Sequence, residues 1–267
     1  MKLLKVLNED LKSPYQNFQF EIGKKYHCED FNTSDEECST GFYATDIDGL
    51  PYAYNIHRKV FECEVSGKSK EFGIYKRRYE NFELIREVTR EELVEMAKPR
   101  DLILGYKLSE VINPINPLLI KRGKVTDKEI ELLKQWASVW DSVRDSVRAS
   151  VRVSIWASIW DSIWASIWDS VRDSVWVSVW DSIWYSVRDS VGASIGTSVR
   201  ASVGAYISSL FPNIKKWEYI DYEKGINPFQ PAIDLWKAGL VPSFDGKTWR
   251  LHSGKDAKVV YEERSNK

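Results

Sequence analysis

The most constraining feature of the sequence is a four-residue unit, Ser-(Val/Ile)-X-X, that repeats without interruption over residues 138–205. The first position is always Ser and the second is always Val or Ile, whereas the third is Trp, Arg or Gly. A fixed period over such a length dictates the architecture of that part of the chain, because every repeat must occupy an equivalent place.

An α-helix is the less favoured architecture for this period. At 100° per residue, a residue that recurs every fourth position drifts by about 40° per repeat, so the Val/Ile stripe leaves no fixed face to bury. Ser, Val, Trp and Asp are also weaker helix formers than Ala, by roughly 0.5 kcal/mol each. A packed helical array therefore remains the alternative rather than the first choice.

A β-solenoid with four residues per side satisfies the pattern. Val and Ile would point inward, Ser would bond the backbone at the inner edge, and the third and fourth positions would face outward. When the repeats are grouped in fours, one group has Trp at every third position and Ile at every second position, residues 154–169. This grouping predicts a four-sided coil of about 16 residues, whose stacking buries a continuous core. The logic is similar to that of pentapeptide-repeat solenoids.

Bulk composition restricts the partners and the location of the protein. Lys and Arg number 38 against 39 Asp and Glu, and the net charge of −1 favours neither nucleic acid nor an anionic membrane as a partner. No apolar run reaches the length of a membrane span, and no signal peptide is evident. The three cysteines, Cys28, Cys38 and Cys63, are typical of reduced thiols in a cytoplasm.

The rest of the chain indicates a mixed fold in four parts. We predict an α+β domain over 1–98, a connector and helix over 99–137, the solenoid over 138–205, and a transition and cap over 206–267. The abrupt change of composition at Ser138 indicates that the preceding helix, 128–137, ends there.

Local signals predict several individual elements. The alternating stretch 59–65 is typical of a strand, and Thr89 is placed to cap a helix over 91–98. In the C-terminal part, hairpin turns are expected at 245–246 and 253–254, and a short helix is expected around 234–236.

The stretch Gly41-Phe42-Tyr43-Ala44-Thr45-Asp46 is the most distinctive part of the N-terminal domain. Together with Cys38 before it and the strand after it, it resembles a domain of unknown function found in bacteriophage and prophage proteins. That family usually has His where this chain has Tyr43, and its members often precede repetitive arrays. The resemblance implies a phage origin and a bacterial host cytoplasm, but no activity.

The same stretch also resembles the ADP-ribosyltransferase pattern. That resemblance implies that Tyr43 or Tyr54 stacks on nicotinamide and that Glu64 acts on the ribose. The chain lacks the His-Gly or Arg-Gly strand that those enzymes have near the N-terminus, so packed aromatic residues in a turn are the favoured interpretation. A zinc site made of His27 and the three cysteines lacks the usual ligand spacing, and we expect neither a metal nor another cofactor.

The outward Trp positions are the candidate binding residues, since Trp and Arg dominate interface hot spots. The candidates are Trp156, Trp160, Trp164, Trp168, Trp176, Trp180 and Trp184. The alternative is that they form shielding ladders or a dimer contact. We therefore predict a non-enzymatic phage protein that binds a protein partner or itself, with countering host defence as one role. A diverged ADP-ribosyltransferase with a targeting solenoid and a structural virion component are the other hypotheses.

Overall fold

The computed structural model describes residues 1–54, 58–73, 75–149, 180, 184, 187, 196–212, 223 and 225–265. The described chain is a mixed α and β structure with two antiparallel sheets. It divides into two units, Met1–Asn113 and Pro114–Lys267. No helix in these ranges combines the length and the apolar character needed to cross a membrane.

The N-terminal unit is built on a long β-hairpin. The strands of this unit are β1 (Lys2–Leu7), β2 (Lys25–His27), β3 (Phe42–Ala44), β4 (Lys59–Phe72) and β5 (Lys76–Val88), and β4 and β5 form the hairpin. The order is β1-β4-β5-β2, and β3 pairs with β5 further along the same edge. A bridge between Leu4 and Thr45 ties the end of β3 back to β1. The sheet therefore bends enough for the segment of β3, which pairs with β5, to reach β1 as well.

Side-chain alternation along β4 explains why one face of the sheet is buried. Phe61, Cys63 and Val65 belong to the core cluster, whereas Glu64 between them is exposed. Register shifts at 62–63 and 66–69 allow the hairpin to bend. The predicted strand over 59–65 is confirmed and forms the first half of β4.

Two α-helices, α1 (Arg90–Ala97) and α2 (Leu108–Ile112), and two 3-10 helices, Leu50–Tyr52 and Lys98–Arg100, complete the described part of the N-terminal unit. The Glu92 amide donates to Thr89 Oγ1 at 3.2 Å, and the Thr89 amide donates to Glu92 Oε2 at 2.8 Å. This reciprocal capping box satisfies two N–H groups that the first helical turn leaves unpaired. The predicted cap and helix are confirmed.

The C-terminal unit combines helices with a three-stranded sheet. Its described α-helices and strands are α3 (Asp127–Ala149), α4 (Gly196–Ser208), α5 (Gln230–Lys237), β6 (Val241–Phe244), β7 (Thr248–Ser253) and β8 (Lys258–Arg264), and a 3-10 helix spans Pro117–Leu119. The strands pair in the order β6-β7-β8. Both predicted hairpin turns and the predicted short helix are confirmed.

Helix α3 does not end before the repeats, as the change of composition predicted, but continues to Ala149. Leu133, Trp136 and Trp140 recur at helical spacing, and all three are buried. The Trp136 ring lies 6.2 Å from the Trp140 ring, which in turn lies 5.9 Å from the ring of Trp249. The first repeats therefore extend an amphipathic helix, and the prediction that this helix ends at 137 is wrong.

Helix α4 shows why the last repeats are helical as well. Its residues from Ser198 to Tyr206 are buried on every side, with Arg200 alone exposed. A helix buried all round needs no fixed apolar face, so the drift of the Val stripe costs nothing here. The Ser202 hydroxyl donates to the Ser198 carbonyl at 3.1 Å, a bond for which a four-residue spacing is suited.

The solenoid prediction for 138–205 is therefore wrong at both described ends, 138–149 and 196–205, which are helical. Residues 180, 184 and 187 are helical too. The other central repeats lie outside the described residues. The repeat pattern does not show which parts of the chain are covered by other elements. Where a helix is covered in this way, small residues such as Ser and Ala suffice and no amphipathic pattern is needed.

Candidate functional site

The most unusual side chain in the N-terminal unit is Lys5, in the middle of β1. It is 8% exposed, and the residues on both sides of it are buried. Its Nζ donates to the Tyr43 carbonyl at 2.7 Å and lies 5.1 Å from the centre of the Phe20 ring. It forms no ion pair with any described residue, and burial lowers the pKa of Lys5 from 10.5 to about 8.

Lys5 lines a cavity of about 450 Å³. Charged residues in the wall are Lys5, Lys76 and Glu37, but Lys76 and Glu37 form an ion pair at 3.2 Å. The Thr45 hydroxyl is buried and has no hydrogen-bond partner among the described residues. Most of the remaining wall is apolar or aromatic: Leu4, Val6, Pro14, Tyr15, Ala44, Ala53 and Tyr75. The cavity thus combines an apolar lining with one unneutralised cation.

A second cavity, of about 650 Å³, lies next to the first and shares five residues with it. The shared residues are Lys5, Ser13, Gln16, Cys38 and Tyr43. Its own wall contains Glu29 and Asp30, so it is the more acidic of the two. An anionic ligand is therefore better accommodated in the smaller cavity.

A buried arginine fixes the loop that precedes Tyr43. Arg78 on β5 is fully buried, and its Nη atoms donate to the carbonyls of Glu36 and Ser34 at 2.8 and 2.9 Å. Nη1 also lies 3.1 Å from the Tyr43 hydroxyl, and the guanidinium lies 5.0 Å from the Phe72 ring. Backbone carbonyls and ring faces therefore hold this cation in place of a carboxylate.

Gly41 makes room for this arrangement. Its φ is +135°, and a Cβ atom there would lie 2.6 Å from Arg78 Cγ. Any larger residue would push the Arg78 side chain out of its position and strain the backbone. The distinctive stretch that begins at Gly41 thus has a structural basis in the packing of Arg78.

The hydroxyl of Tyr43 serves the loop rather than an open cavity. It donates to the Glu37 carbonyl at 2.7 Å and accepts from the Ser39 amide at 3.0 Å. Tyr54 is buried and lines neither cavity. Glu64 is exposed on the opposite face of β4 from Phe61. The three residues suggested by the ADP-ribosyltransferase resemblance do not meet around one cavity.

Two of the seven Trp candidates are described. Trp184 is 6% exposed and Trp180 is half-buried, and their rings stack with centres 5.7 Å apart. The Arg200 guanidinium lies 4.8 Å from the Trp184 ring. Trp184 therefore contacts other repeat residues instead of facing solvent. Trp156, Trp160, Trp164, Trp168 and Trp176 lie outside the described residues.

The cysteines do not gather into a site. Cys63 is buried in β4, Cys28 is half-buried and Cys38 is exposed. Burial raises the pKa of the Cys63 thiol to about 12. Among the described residues no group of three His, Cys, Asp or Glu side chains is arranged to hold a metal ion.

The C-terminal unit contains a serine–histidine pair that the sequence did not reveal. His252 Nδ1 donates to the Ala257 carbonyl at 2.9 Å, so its Nε2 accepts from the Ser243 hydroxyl at 2.7 Å. Burial lowers the pKa of His252, because the charged ring loses its hydration. Since Ser243 is fully buried, no substrate reaches its hydroxyl, and the pair serves to satisfy polar groups between β6 and β7.

Sequence reasoning missed Lys5, although a signal was present. A single charge inside the apolar run Leu3-Leu4-Lys5-Val6-Leu7 departs from the alternation of an exposed edge strand. The sequence does not show that the segment ending at Thr45 covers this strand.

Comparison with known proteins adds one finding. No curated protein and no solved structure matches the chain. Residues 1–96 match the model of a family described as a domain of unknown function, DUF7666. The predicted resemblance to a domain of unknown function is thus confirmed in this general form, whereas the link to phages stays a prediction. The matched region, which is similar to an uncharacterised family, includes Lys5, Tyr43 and Arg78.

Proposed function

We propose that the N-terminal domain binds a small, largely apolar compound through an oxygen acceptor, a carboxylate or a carbonyl group, held by Lys5. The observation that supports this best is a buried ammonium group that lacks a carboxylate partner and lines a mostly apolar cavity. The role is binding rather than catalysis, in keeping with the non-enzymatic function expected from the sequence.

The energetics favour an acidic ligand. A buried charge without a counter-charge is costly, and the Tyr43 carbonyl satisfies one of the three N–H groups of the Lys5 ammonium. A ligand carboxylate would supply the missing charge, and a charge-assisted hydrogen bond contributes about 1.5–3 kcal/mol. The volume of about 450 Å³ lies within the range of small-molecule pockets.

The test compares aromatic acids with their neutral and basic analogues. The full chain is titrated with 2-naphthoate, 2-naphthylmethanol and 2-naphthylmethylamine, and affinity is measured by calorimetry. We expect naphthoate to bind at least tenfold more tightly than the alcohol, and Lys5→Met to abolish this preference. Lys25→Met, on exposed β2, is the matched control and should retain it. Equal affinity for the three compounds would refute the proposal.

We keep the protein-binding role of the repeats, in a phage or prophage context, as a separate proposal. It rests on the Trp-rich third positions of the sequence, and chiefly on the five Trp candidates outside the described residues. A solenoid for the repeats outside the described residues belongs to this proposal. Light scattering of the full chain and of a Trp160→Ser/Trp164→Ser variant tests self-association. If the variant and the wild type have the same molar mass, these Trp residues do not mediate self-association. The proposal then requires a different protein as the partner.

The alternative enzymatic hypothesis is tested in the same preparation. An ADP-ribosyltransferase would transfer the ADP-ribose of labelled NAD to protein or to water, and Glu64→Gln would abolish that activity. Glu64 is exposed and lines neither of the two cavities that Tyr43 lines, which argues against this hypothesis.

A further inference from the structure

We infer that Lys5 is a covalent attachment site, whose side-chain amine condenses reversibly with the aldehyde group of a ligand in the smaller cavity. The inference rests on the proposed ligand-binding function and specifies the chemistry of one ligand class. It requires an amine in the cavity wall, an apolar space beside it, and no competing partner for the nitrogen lone pair.

The hydrogen bonding of Lys5 meets the third requirement. In the neutral amine one N–H donates to the Tyr43 carbonyl, which holds the nitrogen in place. No described carboxylate competes for the group, in contrast to Lys76, which is paired with Glu37. The neighbouring Cys63 thiol, whose pKa is raised to about 12, stays neutral and does not stabilise the ammonium form near neutral pH. The lone pair is therefore available to an electrophile.

Burial supplies the reactive form of the amine. With a pKa of about 8 in place of 10.5, Lys5 is unprotonated at pH 7.5 about two hundred times as often as an ordinary lysine. Most of the other wall residues are apolar or aromatic, and such surroundings disfavour the charged ammonium form.

The reaction balances without an oxidant or a reductant. The Lys5 nitrogen adds to the aldehyde carbon, and a proton moves from nitrogen to oxygen to give a carbinolamine. The carbinolamine then loses its hydroxyl group and the remaining nitrogen-bound proton as one water molecule, and a C=N bond forms. The Tyr43 carbonyl, which accepts from the Lys5 nitrogen at 2.7 Å, positions the amine for this step.

The experiment traps the imine in the full chain. The protein is incubated at pH 7.5 with 2-naphthaldehyde and sodium cyanoborohydride, and the modified lysines are quantified by peptide mass spectrometry. We expect Lys5 to be modified at least tenfold faster than any other lysine, with a rate that rises through pH 8 and then levels off. Lys5→Met should remove the fast-labelling site without changing the modification of Lys25. Labelling spread evenly over the lysines would overturn the inference, even if every variant failed to fold.

Binding of 2-naphthoate separates this inference from the proposed function. If naphthoate binds and the aldehyde does not label Lys5 selectively, the covalent chemistry is refuted and the binding function stands. If naphthoate fails to bind and Lys5 is not labelled, both are refuted. Selective labelling that naphthoate suppresses in proportion to its occupancy supports both. Selective labelling that naphthoate does not suppress contradicts the assignment of the reactive amine to the proposed ligand cavity.

Discussion

Replacing Lys5 by Met should change how the stability of the N-terminal domain depends on pH. The pKa of Lys5 is about 8 in the folded state, against 10.5 when exposed. Between these pH values the unfolded state binds more protons than the folded state, so the free energy of unfolding rises with pH across this window. The free-energy cost of burying the charged Lys5 ammonium is complete below pH 8 and absent above pH 10.5.

The magnitude follows from the size of the shift. A difference of two and a half pH units corresponds to about 3 kcal/mol for this fully buried group. Met has a similar length and no charge, but it loses the hydrogen bond to the Tyr43 carbonyl, which contributes about 1 kcal/mol. The variant should thus be more stable than the wild type by about 2 kcal/mol at pH 7 and less stable by about 1 kcal/mol at pH 10.5.

The assay must report on the N-terminal unit alone, and no Trp lies in it. Incorporated 4-fluorophenylalanine provides fluorine NMR signals from core residues such as Phe61 and Phe82, which are followed during urea unfolding of the full chain. Lys25→Met on exposed β2 serves as the control and should parallel the wild type. A stability difference between wild type and Lys5→Met that stays constant from pH 7 to 10.5 would refute the reasoning.

Three further substitutions test the packing described above. Gly41→Ala should lower the free energy of unfolding by about 2 kcal/mol or more, because the added Cβ meets Arg78 and the φ is positive. Gly23→Ala, with open space around it, should lower it by about 1 kcal/mol. Fluorine-monitored urea unfolding measures both. Arg78→Met should increase deuterium uptake in the peptide over 34–40, whose carbonyls lose their donors, and unchanged uptake would contradict this role. Ala201→Leu should destabilise the C-terminal unit by about 1–3 kcal/mol, since the site is fully buried, and Trp fluorescence during thermal unfolding reports it.

Signals confined to a few neighbouring residues were sufficient to predict several elements. The capping box at Thr89 and Glu92 determines where α1 begins, and the glycine-containing turns after β6 and β7 determine the C-terminal hairpins. These features depend on hydrogen bonds within a few residues of sequence. They can therefore be predicted from the sequence without knowledge of the tertiary contacts.

Burial set by distant segments was not predictable in the same way. Lys5 is buried because the segment containing Tyr43 and Thr45, some forty residues later, lies against β1. The helical ends of the repeats have a similar cause. Trp140 meets Trp249 from β7, and Ser198 accepts from the Phe244 amide of β6 at 2.8 Å. The rule against a four-residue helical period holds for a helix with one buried face, and α4 is buried on nearly all sides.

A continuous set of contacts connects the distinctive sequence stretch to the candidate site. Gly41 admits the Arg78 side chain, and Arg78 together with the loop carbonyls fixes the Tyr43 hydroxyl. The Tyr43 backbone is thereby held where its carbonyl meets Lys5. The side chain of Tyr43 thus holds its own peptide group in position. This role differs from stacking on a nucleotide. The group that accepts a hydrogen bond from Lys5 is a backbone carbonyl, so the chemistry of the cavity depends on Lys5 itself. The stretch from Gly41 onward determines that this lysine is buried.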